Sequence, residues 1–214
     1  MRPLPISPLR MQLSPFSWLE LHHGWLPAPG PAMAALTNEL AWTQQAIPMF
    51  GKDVLQPRLT AVCGKSMKPA SRYRRANPDT PWTPMAAQVL DWVHRTCPAW
   101  RPNGLIANWY RDGADSIDWH SDSEPALGQD PTVVSASLGA TRTFLLKPRD
   151  GGPKTAIKLG DGDLLIMGGR TQSEYRHSIA KVQQPTGARI SLTFRHYLPT
   201  PGSCRPLNQR KGGR

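Results

Sequence analysis

Short apolar and alternating runs fill the second half of the chain, at residues 104–110, 132–138, 141–147, 156–159, 163–167, 177–181 and 188–197. Turn clusters separate several of them: Asp150-Gly-Gly-Pro153, Gly160-Asp-Gly162 and Gly168-Gly169. No stretch of helical period intervenes. Strands of this length and spacing, without helical crossovers, predict a double-sheet jelly roll rather than parallel units. The first half adds flanking elements. A strand over 18–26 ends at Pro27-Ala-Pro-Gly30, and Pro31 opens a helix to about residue 43, with Met33, Leu36 and Leu40 at helical spacing. Thr83 as N-cap and Pro84 at the first helical position begin a second helix, which runs to about Thr96 and stops before Pro98. Its buried face is Val89, Leu90, Trp92 and Val93, with His94 at the surface. The expected fold is therefore mainly β with flanking helices around a double-stranded β-helix (jelly roll) core.

The ends read differently. Residues 1–15 contain Pro3, Pro5, Pro8 and Pro15 and little periodicity, which predicts a disordered leader. Residues 199–214 carry Arg205, Arg210, Lys211 and Arg214 with no acid, a basic disordered tail. Between them, residues 16–198 form a single domain without an internal repeat or linker, and 47–52 form a turn.

Chemistry concentrates in two stretches. His120 and Asp122 are two residues apart, so on a strand both side chains leave from one face. His177 would complete two imidazoles and one carboxylate on one side of a metal, the set with which non-haem Fe(II) oxygenases leave positions open for O₂ and a co-substrate. Alone, His-x-Asp is a weak signal, and a polar strand end is the bland alternative. The last strand changes the balance. In Arg189-Ile-Ser-Leu-Thr-Phe-Arg195, Arg189, Ser191, Thr193 and Arg195 point one way and Ile190, Leu192 and Phe194 the other. A half-solvated strand has this pattern. So does a site for a small dicarboxylate, because a guanidinium fork grips a carboxylate through two parallel hydrogen bonds and the hydroxyls add donors. A metal triad followed closely by such a strand describes a 2-oxoglutarate-dependent oxygenase.

Charge adds a partner class. The chain of 214 residues has 26 Lys and Arg against 15 Asp and Glu, a formal net charge of +11, which suggests a polyanionic partner. Seven cations against Asp53 fall between residues 52 and 75. They read either as a solvated face or, with Phe50 and Tyr73 interleaved, as a surface whose cations hold phosphates while rings stack bases. Cys63, Cys97 and Cys204 lack a Cys-x-x-Cys and read as reduced thiols of a cytoplasmic protein. No apolar run approaches a membrane span.

Taken together, Asn108-Trp-Tyr110, His120-x-Asp122-x-Glu124, His177 and Arg189-x-x-x-Thr193-Phe194-Arg195 resemble the AlkB-type Fe(II)/2-oxoglutarate dioxygenases, over about residues 18–197. The resemblance implies Fe(II) on His120, Asp122 and His177, and 2-oxoglutarate held by Asn108, Tyr110, Arg189, Ser191, Thr193 and Arg195. With O₂, such enzymes oxidatively demethylate N-alkylated bases, such as 1-methyladenine and 3-methylcytosine in DNA. They release formaldehyde and convert 2-oxoglutarate to succinate and CO₂. The same chemistry on RNA or protein, and a noncatalytic nucleic-acid binder, are the alternatives. Residues 47–80 correspond to a nucleotide-recognition lid: Tyr73 would stack on the base, and Phe50 would enter the duplex, or else pack on the protein's own core. Glu124 would contact the base, or stand as a solvated turn residue before Pro125. A monomer is expected. Two departures stand out: Ser191 occupies a position where the family commonly has Asn, and Arg74-Arg75 replaces a common Ser-Gly.

Overall fold

A computed structural model describes residues 7–49, 51–65 and 79–199. In chain order the elements are β1 (Leu9–Gln12), β2 (Ser17–His22), α1 (Pro29–Glu39), β3 (Ala46–Met49), β4 (Lys52–Leu55), β5 (Leu59–Gly64), α2 (Pro84–Thr96) and β6 (Gly104–Tyr110). There follow β7 (Ile117–His120), β8 (Val133–Gly139), β9 (Arg142–Pro148), β10 (Thr155–Leu159), β11 (Leu164–Gly169), α3 (Thr171–Glu174), β12 (Tyr175–Ile179) and β13 (Arg189–Arg195). Seven strands form the larger sheet in the order β1-β2-β11-β8-β13-β6-β5, and four form the smaller, β10-β9-β12-β7. All the pairings are antiparallel. This is the jelly-roll core that the strand spacing predicts.

Two apolar layers hold it. On one face of the larger sheet, Ile190, Leu192 and Phe194 pack with Leu36 of α1 and with Val89 and Val93 of α2. On the other, Leu19, Leu165 and Met167 meet Phe144, Leu146 and Ile179 of the smaller sheet. β13 lies between β8 and β6 and is covered on both sides, so its polar face is not solvated: Arg189 is 1 % exposed and Arg195 is 7 % exposed. That burial removes the half-solvated alternative. At Gly168, the Trp18 ring approaches so closely that an added Cβ would sit 2.1 Å from it, which ties β11 to β2.

The Thr83 Oγ accepts the Ala86 N–H at 3.4 Å, and Pro84 follows it, as the capping pattern predicts. Ala86, Val89 and Val93 are the fully buried positions of α2, whereas Leu90, Trp92 and His94 are half-buried. Thr83→Ala should lower stability by about 0.5–2 kcal/mol, read as a lower thermal midpoint with unchanged turnover.

Three expectations are corrected. Leu9–Gln12, placed in a disordered leader, pairs with β2 from Leu9↔Leu21 to Gln12↔Trp18. The strand expected over 18–26 spans Ser17–His22, because Gly24 turns the chain at φ 57°. Helix α1 starts two residues earlier than expected, at Pro29, and ends at Glu39, since Leu40 is extended. The turn read at 47–52, a hairpin by the family resemblance, is a β3–β4 hairpin as expected, with Gly51 at φ 76°. Phe50 and Tyr73, and residues 66–78 of the expected lid, lie outside the described residues. Among the described residues no helix is long and apolar enough to cross a membrane.

Candidate active site

A cavity of about 360 Å³ opens between the two sheets. Its floor comes from β6 and β13, which pair Asn108 with Ser191 and Tyr110 with Arg189. The β-pleat therefore turns Asn108, Tyr110, Arg189, Ser191, Thr193 and Arg195 into one space, as their alternation predicts. The opposite wall is β7 and β12, in which His120 is the direct partner of His177. Their ring centroids are 4.3 Å apart.

Asp122 reaches the same place by another route. β7 ends at His120, so Asp122 stands in the following loop rather than on a continued strand face. Its backbone N–H donates to the Gln172 side-chain oxygen at 2.9 Å, and its Oδ1 accepts from Arg195. Gln172, fully buried on α3, is a site residue that the sequence reading missed. One ligand atom from each of His120, Asp122 and His177 lies within 4.8 Å of the others. His120 Nδ1 is 2.8 Å from the Asp118 carbonyl, so it carries the proton there and leaves Nε2 free as a ligand. Burial lowers the His177 pKa to about 3 despite the nearby Asp122 carboxylate, so this imidazole is neutral and available. Burial alone would raise the Asp122 carboxyl, yet the Arg195 guanidinium holds it below its ordinary value. Two imidazole nitrogens and one carboxylate, with open space on one side, suit Fe(II).

At the other end the pocket is strongly cationic. Arg189 donates Nε to Ser137 Oγ at 3.0 Å and stands 5.4 Å from the Tyr110 ring centroid. Its Nη1 is buried with no hydrogen-bond partner. Arg58, read only as one of a charge run, donates Nε to Asn108 Oδ1 at 2.8 Å and lines the same cavity. Arg142 closes the cluster, with its guanidinium on the carbonyls of Asp112, Asp115 and Ala180. Burial raises the Tyr110 hydroxyl above its ordinary value even beside three guanidiniums, so it stays a donor. A buried guanidinium with an unused N–H is costly unless an anion meets it. The orphaned Nη1 of Arg189 thus fits a carboxylate of a small diacid.

Arg195 is placed differently. Besides Asp122 it approaches the Tyr197 hydroxyl at 3.5 Å and Glu124 Oε1 at 3.6 Å. Glu124 does not share a strand face with the ligands; it precedes the 3₁₀ turn at Pro125–Leu127. It still lines the cavity, and its Oε2 is buried without a partner. The Ser191 hydroxyl meets Ser135 Oγ at 3.0 Å.

Residues 20–195 match the model of the 2OG-Fe(II) oxygenase superfamily. The chain belongs to the AlkB-type 2OG-Fe(II) oxygenases. Among AlkB-type proteins it is 38% identical over 175 residues to alpha-ketoglutarate-dependent dioxygenase alkB homolog 3 of Rattus norvegicus, covering 78% of this chain and 59% of the relative. DNA oxidative demethylase ALKBH2 of Arabidopsis thaliana is 32% identical over 189 residues, covering 76% of this chain and 60% of the relative. The ALKBH2 of Mus musculus is 30% identical over 164 residues, covering 72% and 67%. The chain spans about 60% of the length of the alkB homolog 3 relatives that it matches. The solved structure of OsALKBH1 superposes with a TM-score of 0.64 at 19% identity, covering 88% of this chain and all of that one, a likeness of fold. Fe(II), 2-oxoglutarate and O₂ are the cofactors of this family, and the donor set fits the metal.

Gln172→Ala should free the loop that carries Asp122 while leaving the three ligands in place. Removing such an outer partner typically weakens metal affinity by about 10–100-fold. Fe(II) retained after dialysis, compared with the parent protein, measures it.

Proposed function

We propose that this protein oxidatively demethylates N-alkylated bases in DNA, 1-methyladenine and 3-methylcytosine among them, as a monomer in the cytoplasm. One observation carries the reading. The triad, Arg189 and Glu124 all line a single cavity, and Arg189 Nη1 and Glu124 Oε2 are buried there without hydrogen-bond partners. Bound at the triad, Fe(II) with O₂ and 2-oxoglutarate supplies oxidation of a methyl C–H bond, the 2-oxo acid leaving as succinate and CO₂ and the hydroxylated methyl as formaldehyde.

The residues do the positioning. Arg189 and the Tyr110 hydroxyl would hold a carboxylate of 2-oxoglutarate, and Asn108, Ser191 and Thr193 would add polar contacts. Arg195 keeps Asp122 ionised and oriented. Glu124 Oε2 accepts from the exocyclic amino group of the base, and its charge suits 1-methyladenine and 3-methylcytosine, which are cationic. A base inside a duplex reaches this depth only when flipped out. Tyr73 would hold it by stacking, and Phe50 would fill the gap it leaves.

Single-stranded DNA, duplex DNA and RNA oligonucleotides, each carrying 1-methyladenine or 3-methylcytosine, test the reading when formaldehyde and remaining lesion are both measured. Lesion lost from DNA with matching formaldehyde is expected. Activity on RNA alone would reassign the polymer, and none on any substrate would sink the proposal. Glu124→Gln should cut kcat/KM for the lesion by about tenfold or more, given roughly 1.5–3 kcal/mol for a charge-assisted hydrogen bond. The KM for 2-oxoglutarate should stay at the parent's value.

A further inference from the structure

α3 is a single turn of four residues, Thr171–Glu174, too short to hold its own place by internal hydrogen bonds. What fixes it comes from near the other end of the chain. Residues 13–16 join β1 to β2 and lie against it. Ser14 Oγ donates to Glu174 Oε2 at 2.5 Å, and Oγ of Ser17, the first residue of β2, donates to the same oxygen at 2.7 Å. Ser14 Oγ also accepts the N–H groups of Phe16 and Ser17, which fixes the turn around that carboxylate. The Arg170 N–H donates to the Phe16 carbonyl at 2.9 Å. Tyr175, the residue after α3, donates its hydroxyl to the Leu13 carbonyl at 2.9 Å. β1 itself is mostly exposed, and what its hairpin brings to α3 is this set of directed polar contacts. The same turn of helix carries Gln172, fully buried, whose side-chain oxygen accepts the Asp122 N–H.

We propose that Glu174 is a positioning residue for the metal site: held by Ser14 and Ser17, it clamps α3 to the β1–β2 turn, and the clamped helix keeps Gln172 on the Asp122 loop. Gln172 and Glu174 are two residues apart in one helical turn, so a shift of one carries the other. Two donors on one carboxylate oxygen fix a direction as well as a distance. The N-terminal hairpin thereby sets the place of a metal ligand that it does not touch. The inference rests on the triad as the metal site and not on the choice of substrate. If these contacts served the fold alone, their loss would lower stability and leave metal affinity unchanged, as Thr83→Ala in α2 should do.

The test titrates Co(II), a redox-stable stand-in for Fe(II), into the full chain and follows its visible absorption, beside a melting curve. Glu174→Ala should weaken Co(II) binding by about three- to tenfold, two hydrogen bonds to a charged acceptor being lost one step behind Gln172. Glu174→Gln keeps an oxygen that accepts both hydroxyls and should bind within about twofold of the parent. Ser14→Ala, which leaves the Ser17 contact, should fall between them, and it carries the test if Glu174→Ala does not fold. In a Gln172→Ala background, Glu174→Ala should change the affinity no further while still lowering the melting point. Parent-like affinity in both Glu174→Ala and Ser14→Ala overturns the proposal. So does a full further loss in the Gln172→Ala background, an equal loss in Glu174→Gln, or an equal loss in Thr83→Ala, where affinity would merely follow stability. Co(II) bound equally well by His177→Ala would remove the triad itself. A parent that binds Co(II) through the triad yet releases no formaldehyde from any lesion fails the demethylase reading alone and leaves the clamp standing.

Discussion

His120→Ala, Asp122→Asn and His177→Ala should each reduce formaldehyde release to background, at saturating 2-oxoglutarate and limiting Fe(II). The cause is geometric. The three donors come from two paired strands and a loop pinned by Gln172, and two of them cannot define one open side of an Fe(II) ion. Asparagine is chosen at Asp122 because alanine would leave the Arg195 guanidinium, 7 % exposed, without its main partner. Stranding a buried charge costs about 3–5 kcal/mol and would confuse lost chemistry with lost fold. Thermal midpoints close to the parent's, together with depleted bound iron, are the expected companions. Near-parent turnover by any one of the three would remove that residue from the metal site.

Arg189→Ala should raise the 2-oxoglutarate KM by about tenfold to over a hundredfold, the equivalent of a charge-assisted hydrogen bond worth roughly 1.5–3 kcal/mol. Its Nη1 is a buried donor without a protein partner, so under the proposed reading the diacid would lose its main anchor. Arg195→Ala should behave differently, since Arg195 is paired with Asp122: it should weaken iron retention and lower the melting point as well as activity. Steady-state KM for 2-oxoglutarate, measured beside a melting curve, separates the two. An Arg189→Ala protein with the parent's KM would place the diacid elsewhere in the cavity.

The parts of this site that repeat a local rule were legible in the sequence. β6 spans the residues its apolar run marks, and β13 keeps its two arginines and two hydroxyls on one face because the pleat has period two. Thr83-Pro84 starts α2 because a cap and a proline act within one turn. What was not legible depends on distant partners. β1 forms because Leu9–Gln12 finds an open edge at β2, a pairing that its proline-rich surroundings hide. Arg58 matters because β5 lies beside β6, which puts its guanidinium on Asn108. Asp122 was expected to follow the pleat from His120, but it is delivered by Gln172 and Arg195. Gln172 sits on the four-residue α3, too short to show any periodicity.

The central claim is that this cavity couples oxidation of 2-oxoglutarate to removal of a methyl group from a base. Its most direct test is the product balance of one reaction: purified protein, Fe(II), O₂, 2-oxoglutarate and a DNA oligonucleotide carrying 1-methyladenine, with succinate, formaldehyde and unmethylated adenine quantified together. The account predicts all three in equal amounts, each abolished by His177→Ala. Succinate formed at the same rate with and without the lesion, and no adenine recovered, would contradict it.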